Sequence, residues 1–442
     1  MSTKFDADVI VVGAGPAGIS AALEVARHDK KVVLLERSNY PGSKNMYGGA
    51  VYTRALKEVF REDFDSIKFE RVINSHTWSF LGETSSFEMT YKNDESTSAY
   101  AIKRFNLEKQ MVEIVKNHGV FYCPNTLVVD LIEKDGAIIG VKTEQEKYYA
   151  PITIIADGVN SLLARKIELR NDYKPKDMIL SVKEAIKLDK KAIEERFNLK
   201  EDGSNGVNKQ FFGTDFGKLK GIKNLFMMTF LYTFKDTIML GVGANLEDLT
   251  KNKLNINEIL DEVKKHPVIA PYIEGGETIE YSAHLIPEGG YKKMPKLVSA
   301  GAILVGDAAG FVNGVHFEGT NFALISGKLA GETAIEALYN NNCDERTLGV
   351  YVKKLENSFI LKDLYAYKNV IENLHSRSNS LGIYYPNKMS EFFEIVTSAN
   401  CISKSKQFKQ FIAKLIKDRG IKAFFDDVSA FAKCGLDVFL GK

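Results

Sequence analysis

The run Gly13-Ala14-Gly15-Pro16-Ala17-Gly18 follows an apolar stretch, residues 8 to 12, and precedes residues 19 to 27, whose apolar spacing is helical. Glycines at these intervals permit a tight turn, close approach of backbone N–H groups to a pyrophosphate, and close helix–strand packing, while the helix N-terminus favours the anion. Glu36 ends the next apolar run, about 20 residues on, where a carboxylate accepts from both ribose hydroxyls and repels a 2′-phosphate; Arg37 follows it. Far downstream, Gly306-Asp307 closes another apolar run, and a glycine-containing loop leads to a helix starting near Gly319, Thr320 and Asn321. An aspartate there suits ribityl hydroxyls, and the helix N-terminus suits negative charge on a reduced isoalloxazine. With no nucleophile–base pair and no metal-ligand cluster beside these residues, a noncovalently held FAD is the expected reactive centre.

The elements needed to position these residues are also legible. Residues 8–12 and 31–35 read as buried strands around a helix, a βαβ unit. Residues 127–131 and 138–142 flank Asp135-Gly136, the strongest short hairpin signal. Residues 152–156 and 301–305 read as further buried strands. Between about Asn171 and Ile286 the texture changes to strand-like runs with lysine-rich helical stretches, which suits an antiparallel sheet. From Gly331 onward the chain reads as helical, with an amphipathic tail.

Several stretches resemble known flavoproteins. The Gly306-Asp307 block resembles the second FAD motif of the glutathione-reductase-type flavoproteins. The segment "IIADGVNSLLAR" is similar to the Asp-Gly motif of the flavin hydroxylases, which implies that Asp157 and Gly158 help hold FAD. Arg104, opening the helical stretch "RFNLEKQMVEIVKNHG", is placed like the family arginine that reaches the FAD, although an exposed N-terminal arginine would look the same. Val128 joins the cofactor-binding set by the same likeness. The expected fold is therefore α/β: a glutathione-reductase-type Rossmann domain from residues 1–75, 100–170 and 285–340, an inserted antiparallel substrate or quinone domain from 76–99 and 171–284, and a helical region from 341 to 442.

Two blocks narrow the resemblance. "GSKNMYGGAVYTRAL", starting at Gly42, and His284 to Ala334, containing Pro287-Glu288-Gly289-Gly290 and His316-x-Glu318-Gly319, resemble the FixC proteins, relatives of electron-transfer-flavoprotein:quinone oxidoreductases. The resemblance implies an FAD subunit that takes electrons from an electron transfer flavoprotein and passes them to membrane quinone. It also implies that the loop carrying Lys44, Asn45, Met46, Gly48 and Gly49 reaches the flavin ring, Lys44 and Asn45 donating to its polar edge. Lys44 as a solvated loop lysine stays open, as does His316, either a proton donor to quinone or a hydrogen-bonded structural residue. The long quinone oxidoreductases carry a four-iron ferredoxin-like tail. The cysteines here, Cys123, Cys343, Cys401 and Cys434, are far apart and form no cluster set. A small separate ferredoxin-like subunit of the FixX type is the implied partner. A geranylgeranyl-reductase-like enzyme is the alternative, but Trp78, the single tryptophan, lacks the Tyr-x-Trp-x-Phe-Pro context of that group. A flavin monooxygenase and an assembly subunit with structural FAD are further alternatives.

Bulk properties agree with a globular protein of more than one unit. Lys+Arg 59 against Asp+Glu 57 leaves a net charge of +2, so no global field marks a nucleic-acid binder. The first strand starts near residue 8, leaving no room for a leader, and a cytoplasmic chain is expected. The most apolar run, Asn224 to Phe234, is about half of the ~20 residues that cross a bilayer. That run and the tail around Phe424 to Phe439 are the candidate surfaces for peripheral membrane contact, with ordinary core as the alternative for both.

Overall fold

The computed structural model describes residues 4–43 and 48–441. They form two compact units, each built from segments distant in sequence: Met1–Glu70, Thr97–Met178 and His284–Lys368 in the first, Arg71–Ser96, Ile179–Ala283 and Asn369–Lys442 in the second.

The first unit is organised by a six-stranded sheet in the order Val298–Ser299, Ala302–Leu304, Ile152–Ile155, Val9–Val12, Val32–Leu35, Phe121–Cys123. The strands run parallel except at the short outer Val298–Ser299 edge. Val9–Val12, Val32–Leu35 and Ile152–Ile155 are buried at every position, which is why they read as unbroken apolar runs rather than alternating ones. The Pro16–Ala26 helix packs against the Thr320–Tyr339 helix, pinned where the Ser20 hydroxyl donates to the Leu324 carbonyl at 2.6 Å. The hairpin Val128–Lys134/Ala137–Thr143 turns through Asp135 (φ 53°) and Gly136 (φ 78°), two left-handed residues as the Asp-Gly pair requires.

A seven-stranded sheet organises the second unit, in the order Glu277–Pro287, Met178–Lys187, Thr237–Asn245, Met227–Thr233, Val207–Phe212, Ser75–Leu81, Ser86–Lys92. Ser75–Leu81 runs parallel to Val207–Phe212, while the hairpin neighbours are antiparallel. The Ile256–Lys265 helix buries Ile256, Ile259, Leu260 and Val263, the i, i+3, i+4, i+7 stripe, and is capped by Asn255 accepting from the Asn257 N–H at 3.0 Å. Arg71 is the largest wholly buried side chain. Its guanidinium donates to the carbonyls of Phe234 (2.9 Å) and Lys200 (3.0 Å) and to Glu194 Oε1 (3.0 Å).

Most of the run from Asn224 to Phe234 is packed inside the second unit, with Phe226, Met228 and Tyr232 half-buried. Its residues 227–233 are a central strand, with Phe230, Leu231 and Phe234 buried. An apolar stretch of that length has the same pattern in a central strand as in a lipid-facing patch, and the strand has strands hydrogen-bonded on both sides. The C-terminal helices divide between the units: Phe359–Ala366 belongs to the first, and Tyr385–Thr397, Lys404–Arg419 and Ile421–Leu440 to the second. Among the described residues no helix is long and apolar enough to cross a membrane.

Candidate functional site

The glycine-rich turn has a distinct physical reason for each glycine. Gly13 has φ +102°, and a Cβ there would lie 2.3 Å from the Ala156 carbonyl oxygen. At Gly18 a Cβ would meet the Gly13 carbonyl oxygen at 1.9 Å, the close helix–strand packing expected from the spacing. Gly15 differs: nothing lies within 4 Å of a Cβ built on it, so it borders open space at the N-cap of the Pro16–Ala26 helix. That helix has no side-chain cap and no acidic residue in its first turn, leaving its first N–H groups and dipole for an anion. Pro16 at the start removes one donor that would otherwise be orphaned, and Ala14 and Ala17 are buried beside it.

Glu36 is held by two backbone donors. Its Oε2 accepts from the Ala14 N–H at 2.9 Å and its Oε1 from the Ser38 N–H at 2.8 Å, so both oxygens are oriented and keep a lone pair for a ligand. Arg37 is exposed. Val128 starts the Val128–Lys134 strand, with its side chain in the hydrophobic core.

Asp157 Oδ2 accepts from the Leu163 N–H at 3.2 Å, while its Oδ1 is buried without a hydrogen-bond partner. Burial pushes this carboxyl up, with the Leu163 N–H pulling it back. Gly158 follows at φ +78° over open space. Asp307 lies in the short turn after Ala302–Leu304; burial raises its carboxyl, and His284, Arg104 and Arg170 draw it down. Arg104, one of the charges that draw Asp307 down, donates from Nε to the buried Glu108 carboxylate at 2.6 Å. Gly319 is the N-cap of the twenty-residue Thr320–Tyr339 helix, where a Cβ would make ordinary contact with the Val312 side chain at 3.7 Å, and Asn321 Oδ1 is buried without a partner. Gly48 and Gly49 open the Gly48–Tyr52 strand, which pairs with Ala99–Lys103, leading into Arg104. Lys44, Asn45 and Met46 lie outside the described residues.

Arg170 and Tyr173 carry no signal in the sequence. Arg170 is buried and donates to the carbonyls of Ala308 (3.1 Å) and Val159 (2.7 Å), which ties the Asp307 turn to the loop after Asp157. Its guanidinium stacks 4.0 Å from the Tyr173 ring centroid, and Tyr173 Oη stands 2.3 Å from where a Gly310 Cβ would be. No motif marks such a bracket, because an arginine that donates to carbonyls needs only reach.

The residues fit FAD. An open cradle at a helix N-terminus and buried polar oxygens at Asp157 and Asn321 that lack protein partners are the surroundings expected of a bound polar dinucleotide. No group of His, Cys, Asp or Glu able to hold a metal ion occurs among the described residues.

Residues 8–165 match the FAD dependent oxidoreductase family. The chain is 34% identical over 434 residues to Protein FixC of Bradyrhizobium diazoefficiens, covering 96% of this chain and 98% of the relative. It is 35% identical to Protein FixC of Azorhizobium caulinodans, covering 97% and 98%. In fold it is similar to a geranylgeranyl bacteriochlorophyll reductase-like protein of Thermoplasma acidophilum (TM-score 0.70, 19% identity, 93% of this chain and 98% of the other). It is also similar to the halogenase PltM in complex with phloroglucinol and FAD (TM-score 0.63, 13% identity, 96% and 85%). At those identities the two structures share the fold alone.

Proposed function

This chain belongs to the FixC family and is an FAD-dependent oxidoreductase, and from that premise we propose that it accepts electrons from an electron transfer flavoprotein and passes them, with a ferredoxin-like partner, to membrane quinone. The observation that carries the reading is kinship to FixC proteins along nearly the whole chain, over a site fitted to FAD. When bound, FAD supplies the redox chemistry: it takes up an electron pair and releases it one or two electrons at a time.

The chain's own residues do the rest. The 13–18 turn and the Pro16–Ala26 N-terminus would hold the pyrophosphate, and Glu36 would orient the ribose. Asp307, drawn down by the Arg104 and Arg170 charges, would hold the ribityl chain, and the helix start at Gly319 would favour negative charge on the ring. With no cysteine cluster set in this sequence, the iron–sulfur relay comes from a separate FixX-type subunit. The Ile421–Leu440 helix exposes Ile421, Phe425, Val428, Leu436 and Phe439 and is preceded by a lysine-rich helix, which supports it as the surface that meets the membrane.

Stopped-flow absorbance tests the electron-accepting half. Reduced electron transfer flavoprotein should bleach the FAD of this chain slowly or not at all when the chain is alone, and faster once the small ferredoxin-like subunit is added. Bleaching that is equally fast with and without that subunit would contradict the partner assignment.

A further inference from the structure

The last helix of the second unit, Ile421–Leu440, turns the usual amphipathic arrangement around. A helix on the surface of a globular protein buries its apolar stripe and shows its charged one. Here the face packed on the unit is polar: buried Asp427 accepts from Tyr385 Oη (2.9 Å) and Arg419 Nε (2.9 Å) and pairs with Arg377 Nε (3.3 Å), and Asp437 Oδ2 accepts from the Asn369 side-chain amide at 3.4 Å. The opposite face carries Ile421, Phe425, Val428, Leu436 and Phe439 at helical spacing, all exposed, Phe439 by 86%. The ionic seam thus fixes the helix with its apolar stripe outward.

The exposed apolar surface extends beyond this helix. The Lys404–Arg419 helix adds exposed Ile412 and Ile416 and is seated through Phe408 and Phe411 on Phe392, with ring centroids at 5.7 and 5.8 Å. The next residue, Phe393, stacks at 4.5 Å on Phe87 of the Ser86–Lys92 strand. Phe87 pairs with Phe80 and Met89 with Trp78, so these residues and Tyr91 share one face of the hairpin. Trp78, Met89 and Tyr91 are exposed there by 53, 44 and 65%. A run of ring contacts therefore connects the hairpin to the C-terminal helices.

The charges along this surface have one sign. Between Lys404 and Lys422 seven basic residues stand against one acidic residue, Asp418, in a chain whose net charge is only +2. Lys406, Lys409, Lys417 and Lys422 are exposed and make no ion pair among the described residues, and Lys409 falls on the helix face of Ile412 and Ile416. A second copy of this chain meeting the same face in an isologous dimer would set these lysines against their own counterparts. Phosphate headgroups above an acyl interior match both the basic residues and the apolar ones, and tryptophan and tyrosine suit the boundary between them. We propose that this surface of the second unit, from Trp78 and Tyr91 to Phe439, docks on a bilayer of acidic phospholipids, its lysines on the headgroups and its apolar side chains at the edge of the acyl chains. The proposal rests on the membrane reading of the last helix and goes beyond it by naming the lipid and adding the hairpin.

Flotation of the FAD-loaded chain with vesicles of phosphatidylcholine alone, and of phosphatidylcholine and phosphatidylglycerol in equal parts, tests it, with Trp78, the single tryptophan, as a built-in probe. The chain should float with the mixed vesicles and not with phosphatidylcholine, and Trp78 emission should shift to the blue and be quenched by brominated acyl chains. Replacing Lys406→Gln and Lys409→Gln should weaken binding about fivefold per lysine, and added salt should weaken it further. Phe439→Ser should weaken it roughly tenfold, with flavin content unchanged in all these variants. Equal flotation with both vesicles would keep the last helix as a membrane surface and overturn the acidic-lipid assignment. Flotation with unchanged Trp78 emission would overturn the part given to the hairpin. No flotation, or self-association of the chain in its place, would overturn both this proposal and the reading beneath it.

Discussion

Gly15→Val is expected to purify as a folded, colourless protein. Gly15 has an extended backbone (φ −81°, ψ 178°) that any residue adopts, and its Cβ meets nothing in the protein, so the substitution costs little in folding. The valine side chain instead occupies the space where backbone N–H groups approach the pyrophosphate. Losing two charge-assisted hydrogen bonds, at about 1.5–3 kcal/mol each, weakens FAD binding by roughly a hundredfold or more. The ratio of absorbance at the flavin band to that at 280 nm, with circular dichroism as the folding control, reports both halves. A yellow variant with the native flavin ratio would show that the turn is not the pyrophosphate site. Gly13→Val should behave differently: its Cβ would lie 2.3 Å from a backbone oxygen at positive φ, so the first unit itself should be destabilised.

The second large effect lies in the other unit. Arg71→Met removes a wholly buried guanidinium and leaves the Glu194 carboxylate, 9% exposed, without its main partner; Lys190 reaches it only at 3.5 Å from the surface. Breaking a buried ion pair on one side costs about 3–5 kcal/mol, and the carbonyls of Phe234 and Lys200 lose their donors as well. Urea denaturation followed by fluorescence of Trp78, the single tryptophan, which lies in the same unit, should show the midpoint falling steeply. Adding Glu194→Leu should restore much of the loss, because an apolar pair removes the uncompensated charge. A loss below about 1 kcal/mol in Arg71→Met would mean that water replaces the guanidinium and the site is not dry.

The parts legible from the sequence are those governed by local physics. The buried parallel strands, the Asp135-Gly136 turn and the Gly319 helix start follow from periodicity and turn chemistry, and the spacing from Gly13 to Glu36 follows from the ligand's dimensions. Sheet neighbours are not legible. Ser75–Leu81 lies beside Val207–Phe212, and nothing in either stretch encodes a parallel partner so distant along the chain. The same limit hides Arg170, whose partners Val159 and Ala308 come from two separate loops. His316 is visible as a histidine beside a flavin motif, but its contact with Tyr367 and the nearby Asp363 depends on how the Phe359–Ala366 helix folds back. The apolar run ending at Phe234 carries the opposite risk: hydrophobicity alone cannot separate a central strand from a membrane face, and here the strand is central.

The electron path is tested most directly by reconstitution. This chain with FAD, the electron transfer flavoprotein subunits and the small ferredoxin-like subunit would be mixed with a soluble quinone analogue, and quinol formation followed spectrophotometrically. Quinol should form only when every component is present, and should disappear with Gly15→Val. Reduction of an isoprenoid double bond by this chain, with no quinol formed by the complete set, would contradict the proposed electron path.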